Sequence, residues 1–345
     1  MIARRRRLVR RRVRRGQAGF TLVELMVSLV MFSFAIAGVL AVAVSMANGF
    51  REQRAGVGTE GAARAAMEFL SDAIRGASPG IGDGIIWPMD DDKCDDVDAA
   101  GQPINRAFRA TMGNATAPDS LTVTFAYGSV VTTALSAYDP ASTSGGAITV
   151  EDTSQFQDGD FVVVTDFTSA VLLKVDVSGN TLTYAAKAGG CTTSIANPLA
   201  AGSLVVRALR ARFYIQDLGG IPTLFMDPDP NDAVTGDDEP LAEGIEDLQV
   251  VLGLDTAADG LGAENLVNVD GDEWFGNLPG EAYPAGVTTM RAVRLSLVSR
   301  AITPVTGTAA YFRPALEDHD GSTTDNFKRR VLTSMIEVRN MTGSK

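Results

Sequence analysis

Histidine is almost missing from this chain: 345 residues contain one, His319, within Glu317-Asp318-His319-Asp320-Gly321. A Ser-His-Asp or Cys-His site would have to use it, and no GxSxG, HExxH or P-loop string accompanies it. A lone histidine among acids is expected to be a solvated turn residue. Paired carboxylates of the glycosidase kind mean little in a chain with 42 Asp and Glu, where pairs arise by chance. The expectation is a protein that is not an enzyme, with no catalytic residue. Cysteine is scarce too, with only Cys94 and Cys191 and no CxxC spacing, so redox and zinc chemistry are disfavoured. An even pair in an exported chain suggests a Cys94–Cys191 disulfide, closing a loop of about a hundred residues and contributing about 4–5 kcal/mol on the entropic model. Two unpaired thiols are the alternative. Positive charge is missing from most of the chain. Nine of the 30 Lys and Arg lie in Met1–Ala18; without them 21 face 42 acids, a net charge of −21. That balance argues against nucleic-acid binding by the body of the protein and suits an acidic extracytoplasmic surface.

Long apolar runs are also missing, with one exception. The 28 residues from Phe20 to Ala47 carry a single charge, Glu24. A helix needs about 20 apolar residues to cross a hydrocarbon core, so this run is long enough to span. An ionisable group in such a segment costs about 2.5–3.5 kcal/mol on insertion scales, which makes Glu24 a functional candidate. A signal peptide would show an apolar region of about 7–15 residues followed by a small-x-small site; this run is about twice as long and is charged at its start. The arginines before it fit topology, since Arg flanking a membrane helix stays cytoplasmic, better than a phosphate-binding arm or a twin-arginine export signal.

Gly19-Phe20-Thr21-Leu22-Val23-Glu24-Leu25, after the basic leader, resembles the class III signal of type IV prepilins and pseudopilins. The resemblance implies cleavage between Gly19 and Phe20 by a prepilin peptidase, N-methylation of Phe20, and attraction of a neighbouring subunit's terminal amine by Glu24 during assembly. Burying that carboxylate is tolerable when it pairs with a cation. The small residues Ala35, Ala37, Gly38, Ala41 and Ala43 allow close helix approach.

Beyond the run, residues 48–77 read as an amphipathic helix. Met67, Leu70 and Ile74 fall at i, i+3 and i+7, with Phe69 and Ala73 beside them. Gly56, Gly58 and Gly61 predict a kink or fray, and Gly76 and Pro79 predict the end. Residues 80–120 read as an acidic surface loop region. From Leu121 onward short β-type runs alternate with turns: 121–127, 161–165, 171–177, 181–184 and 204–215, with a hairpin signal at Val177-Ser178-Gly179-Asn180-Thr181. Residues 145–191 read as a small inserted β module. Leu248, Val250 and Leu252, and Val293, Leu295 and Leu297, predict the buried face of a half-exposed antiparallel sheet, with 331–338 as a last run.

Two acidic loops contain oxygen ligands for a hard cation: 227–232, and Asp255 and Asp259 with Asp270 and Asp272. Calcium is the cofactor they suit, but Ala257 and Ala258 stand where ligands are wanted, and acidic turns held by Asx bonds are the stronger reading. Gly244-Ile245-Glu246-Asp247-Leu248-Gln249-Val250 and the ending Arg329-Arg330-Val331…Val338-Arg339-Asn340 resemble PilW-type minor pilins, whose layout J-type pseudopilins of type II secretion share.

The expected fold is α+β and pilin-like: a long N-terminal helix, membrane-spanning then amphipathic, packed on a β-rich antiparallel head. Its parts would be leader 1–19, assembly helix 20–47, amphipathic continuation 48–78 and head 79–345. The implied partners are prepilin peptidase, minor and major pilins or pseudopilins, an inner-membrane assembly platform and lipid, with no nucleic acid at the head. The implied location is the bacterial inner membrane, head periplasmic, and the assembled pilus or pseudopilus. The alternative of another class is a membrane-anchored β-rich binding protein or hydrolase.

Overall fold

The computed structural model describes residues 19–78, 87–88, 107–138, 145–184, 199–228, 236–254, 274–278, 280–281, 290–305, 310–321 and 324–338. It divides into two compact units, Met1–Arg51 and Glu52–Lys345. Helix α1 (Leu22–Arg75) begins in the first and ends in the second. In the first unit its large apolar side chains, from Phe20 to Phe50, are all exposed. The helix is long and apolar enough to cross a membrane.

In the second unit α1 acquires a buried stripe. Thr59, Ala63, Ala66, Met67, Leu70, Ala73 and Ile74 are buried at three- and four-residue spacings, the repeat that keeps one face toward a core. Phe69 lies off the stripe, 41 % exposed, its ring edge-on to Phe213 at 5.8 Å. The fray expected at Gly56, Gly58 and Gly61 is absent, because the helix is held on both sides of them. Upstream, Lys328 Nζ lies 3.3 Å from Glu52 Oε1 and Tyr311 Oη 3.4 Å from the same oxygen; downstream, Thr59 starts the stripe. Past Arg75, Ser78 adopts a positive φ and donates its N–H to Thr124 O, 3.0 Å.

The strands are β1 (Trp87–Pro88), β2 (Phe108–Thr111), β3 (Ser120–Thr133), β4 (Gly146–Thr149), β5 (Asp160–Thr165), β6 (Ala170–Ser178), β7 (Thr181–Tyr184), β8 (Leu204–Leu218), β9 (Ile221–Asp227) and β10 (Glu239–Glu243), which form one sheet. Its spine is β8. One edge of β8 pairs with β3; the other pairs first with β5, through Leu204–Ala208, and then with β9, through Arg212–Leu218. The β6–β7 turn is a two-residue loop with Gly179 at φ 60°, as Gly-Asn between apolar runs suggests. Alternating residues of β5 enter different cores. Phe161 and Val163 join the core under α1; Val162 and Val164 join a second one with Tyr138, Ile148, Val171, Leu173 and Leu182. Strands buried on both faces read as continuous apolar runs, hence Phe-Val-Val-Val. The loop expected over 80–120 ends differently, since Ala107, Phe108 and Ala110 are buried and β2 pairs with β3.

A second sheet holds β11 (Ile245–Leu254), β12 (Trp274–Phe275), β13 (Met290–Arg300) and, after the short pair β14 (Tyr311–Phe312) and β15 (Thr324–Asp325), β16 (Arg329–Glu337). Its order is β12-β11-β13-β16, antiparallel throughout. Leu248, Val250 and Leu252 sit across from Leu297, Leu295 and Val293, facing the core under α1. The half-exposed sheet expected from that alternation is not what forms on β11. Its other face, Asp247, Gln249 and Val251, is equally buried.

Candidate assembly site and a buried charge cluster

Thr21 and Glu24 bracket the first turn of α1. Glu24 N–H donates to Thr21 Oγ1 at 3.2 Å, while Thr21 N–H and Oγ1–H both donate to Glu24 Oε2 at 3.0 Å. This is a reciprocal capping box, and the Thr-Leu-Val-Glu spacing before an apolar run is its sequence sign. It fixes the carboxylate at the helix N-terminus, where the dipole favours negative charge, and Oε1 takes no part in the box. Gly19 and Phe20 precede it, both exposed. Exposed apolar surface as extensive as that of residues 20–50 marks a membrane or protein contact.

The second sheet carries two ionic assemblies. Gly244, Glu246 and Asp247 of the Gly-Ile-Glu-Asp-Leu-Gln string each have a physical task. Gly244 has φ 79°, and a Cβ there would meet Arg300 O at 2.7 Å; only glycine fits. Between Ile245 and Asp247 the register with β13 shifts by one residue, a bulge that re-aims a side chain. The re-aimed residue is Glu246. Arg329 Nη2 donates to its Oε1 at 3.0 Å and to Asp325 Oδ2 at 2.6 Å. Arg329 is 3 % exposed in its side chain and holds the Asp325 carboxyl below its ordinary value, chiefly through that hydrogen bond.

Asp247, one residue on, belongs to the other assembly. Its Oδ2 lies 2.8 Å from His319 Nδ1 and 3.2 Å from Arg313 Nη2, and its Oδ1 accepts from Gln249 Nε2 at 3.0 Å. His319 is 2 % exposed, so the expected solvated turn is corrected. Leu316 and His319 close a tight reversal, N–H to O at 3.0 and 2.9 Å, which folds the imidazole onto β11. Beside it Asp119, 1 % exposed, accepts from Gly113 N at 2.6 Å and Val250 N at 2.8 Å. Burial, with the Asp318 and Asp247 carboxylates nearby, outweighs those bonds and pushes the Asp119 carboxyl up to about 7. Arg294 stacks on Trp274 at 4.8 Å and donates to Glu317 Oε2 at 2.8 Å. The arrangement ties residues 313–319 to β11.

Cys94, Cys191, Asp255, Asp259, Asp270 and Asp272 lie outside the described residues. Among the described residues no cluster of three or more His, Cys, Asp and Glu is placed to hold a metal. Sequence reasoning missed the capping box, Asp119 and the Arg313–His319 strap. The first had a visible signal, while the others depend on contacts between residues distant in the chain.

Residues 212–340 match the family model of type IV pilus-assembly protein W, and residues 14–44 match the prokaryotic N-terminal methylation motif. No curated protein matches. Among solved structures a type IV-like pilin from Thermus thermophilus is similar at 12 % identity, covering 54 % of this chain and 86 % of that one, with a TM-score of 0.25; so loose a superposition carries no argument. The first matched segment contains both ionic assemblies and the second sheet; the other contains the capping box and the exposed helix. Over those two segments the chain is similar to type IV pilus-assembly protein W and carries the prokaryotic N-terminal methylation motif.

Proposed function

We propose that prepilin peptidase cuts this chain between Gly19 and Phe20 and methylates the new amine, and that Glu24 then recruits the amine of a neighbouring subunit. The observation that supports this most is the capping box. It holds the Glu24 carboxylate at the start of the helix, one turn from Phe20, with Oε1 uncommitted to the box. An incoming ammonium would form a charge-assisted pair in a low-dielectric bundle, where an unpaired carboxylate is costly. The rest of the proposal follows the chain. Residues 20–47 are the assembly helix and 48–78 its amphipathic continuation. Residues 79–345 are a periplasmic, non-catalytic head, with 145–191 as an inserted module, that contacts other minor pilins and primes assembly or contributes to adhesion.

The test is the N-terminal mass of the membrane-extracted protein, with and without active peptidase. A chain beginning at N-methylated Phe20 only when the peptidase is present is expected; an intact Met1 or a cut after Ala47 overturns the reading and favours an anchored binding protein or hydrolase. Deleting the gene should remove surface pili. Loss of exoprotein export instead would assign the chain to a type II secretion pseudopilus.

A further inference from the structure

Between the second sheet and residues 310–321 lies a buried polar layer. From β11 come Asp247 and Gln249, and from β13 Arg294 and Ser296, with Asp247, Gln249 and Ser296 all nearly inaccessible. Residues 310–321 form a strap over them, supplying Arg313, Glu317, Asp318, His319 and the exposed Asp320. The β2–β3 loop supplies Asp119, and Asp320 N–H binds that loop at Ala115 O, 3.0 Å. Among the described residues four carboxylates, Asp119, Asp247, Glu317 and Asp318, thus face two guanidiniums, Arg294 and Arg313, and one imidazole. Negative charge is in excess in a place where unpaired charge is expensive.

Hydrogen bonding is short in the same place. Among the described residues His319 Nε2, Asp318 Oδ1, Gln249 Oε1 and Arg313 Nε are buried without a hydrogen-bond partner. Around His319 Nδ1 stand an acceptor, Asp247 Oδ2, and two donors, Arg313 Nη2 at 3.2 Å and Gln249 Nε2 at 3.4 Å. That nitrogen can donate to the carboxylate or accept from the two donors but not both, so one set of contacts always goes unmade. A proton on Asp318 or Asp119 reduces the excess charge and adds a donor to a layer rich in unsatisfied acceptors.

We propose that the strap is a proton-dependent latch, held on the sheet while a proton sits on the buried carboxyls Asp119 and Asp318 beside Asp247, and loosened when that proton is lost. Burial raises the Asp318 carboxyl as well as that of Asp119, the neighbouring His319 opposing it. Groups raised in the fold bind more protons folded than unfolded, so their stabilisation is present at low pH and lost as pH rises. The latch does not depend on the pilus reading.

The test is hydrogen–deuterium exchange of the full chain in detergent at pH 6 and pH 8, with times scaled for intrinsic exchange. The strap is compared with β5 and β6 as an internal reference. Strap protection is expected to fall about tenfold relative to that reference in the wild type, the amount one group titrating near 7 gives. In Asp119→Asn the drop is expected to shrink below about twofold. Equal wild-type protection at both pH values, or a full drop retained in the variant, overturns the latch. Should Asp119→Asn lose protection in β5 and β6 too, Asp318→Asn carries the same comparison with the same two outcomes.

Discussion

At the residue scale, the Gly244–Asp247 string shows how little of a short motif is interchangeable. Gly244 sits at positive φ against a carbonyl, so Gly244→Ala adds left-handed strain and a backbone clash. It is expected to cost about 1–3 kcal/mol, read as a lowered urea midpoint of the full chain in detergent. Glu246→Ala acts differently: it leaves Arg329 buried with Asp325 as its one remaining charged partner among the described residues. Removing one member of a buried pair costs about 3–5 kcal/mol, mostly from the stranded charge. The double variant Glu246→Leu with Arg329→Met should recover part of that loss, because the buried guanidinium goes with its partner and leaves the partly exposed Asp325 and Arg300 to balance each other. If the double variant is no more stable than Glu246→Ala, the pair stabilises by more than charge neutralisation. Exposed pairs are another matter: Arg64 and Glu60 are both mostly solvated, and Arg64→Ala should move the midpoint by less than about 0.5 kcal/mol.

At the element scale, the stripe on α1 and the spine strand β8 organise the core under the helix. Leu70 is fully buried in that stripe, and Leu70→Ala should cost about 2–5 kcal/mol through lost transfer energy and a residual cavity. Phe69→Ala, at a partly exposed position, should cost less although the deleted side chain is larger; a reversed order would show that the helix packs otherwise. The period that places Met67, Leu70 and Ile74 together was legible in the sequence, as were the β5–β7 runs and the Ser178–Thr181 turn, because local patterns determine them. Three features were not legible, for separate reasons. The continuous helix through Gly56–Gly61 depends on Lys328 and Tyr311 reaching Glu52 from more than 250 residues away. The polar alternation on β11 reads as a solvent face, because the strap that covers it comes some 60 or 70 residues later. His319 looks solvated among acids for the same reason. The Thr21–Glu24 box differs: its spacing was plain, but a charge in an apolar run points first to membrane cost and only second to a cap.

At the scale of the whole molecule, opposing sets of carboxylates bound the pH range of greatest stability. Asp325 is depressed in the fold, principally by its hydrogen bond from Arg329, so its contribution is present above the unfolded carboxylate value near 3.8 and is lost as pH falls through its lower folded value. Asp119 is raised by burial to about 7, so its contribution is full below about 3.8 and declines as pH rises through neutrality. The two windows meet near pH 4. The urea midpoint should therefore peak there and fall toward pH 8, with Asp119 contributing about 2–4 kcal/mol of the difference. A second effect has the same sign: a chain of net charge −12, more acidic without its leader, repels itself increasingly as its groups deprotonate. Salt separates the two. Repulsion between surface charges is screened over about 10 Å at 0.1 M and about 3 Å at 1 M, whereas a carboxylate 1 % exposed is screened little. In 0.5 M sodium chloride the wild type should keep most of its pH 5 to pH 8 difference and Asp119→Asn should lose most of it. If salt alone flattens the wild-type curve, the pH dependence belongs to the acidic surface as a whole, and the buried cluster fastens the strap without sensing protons.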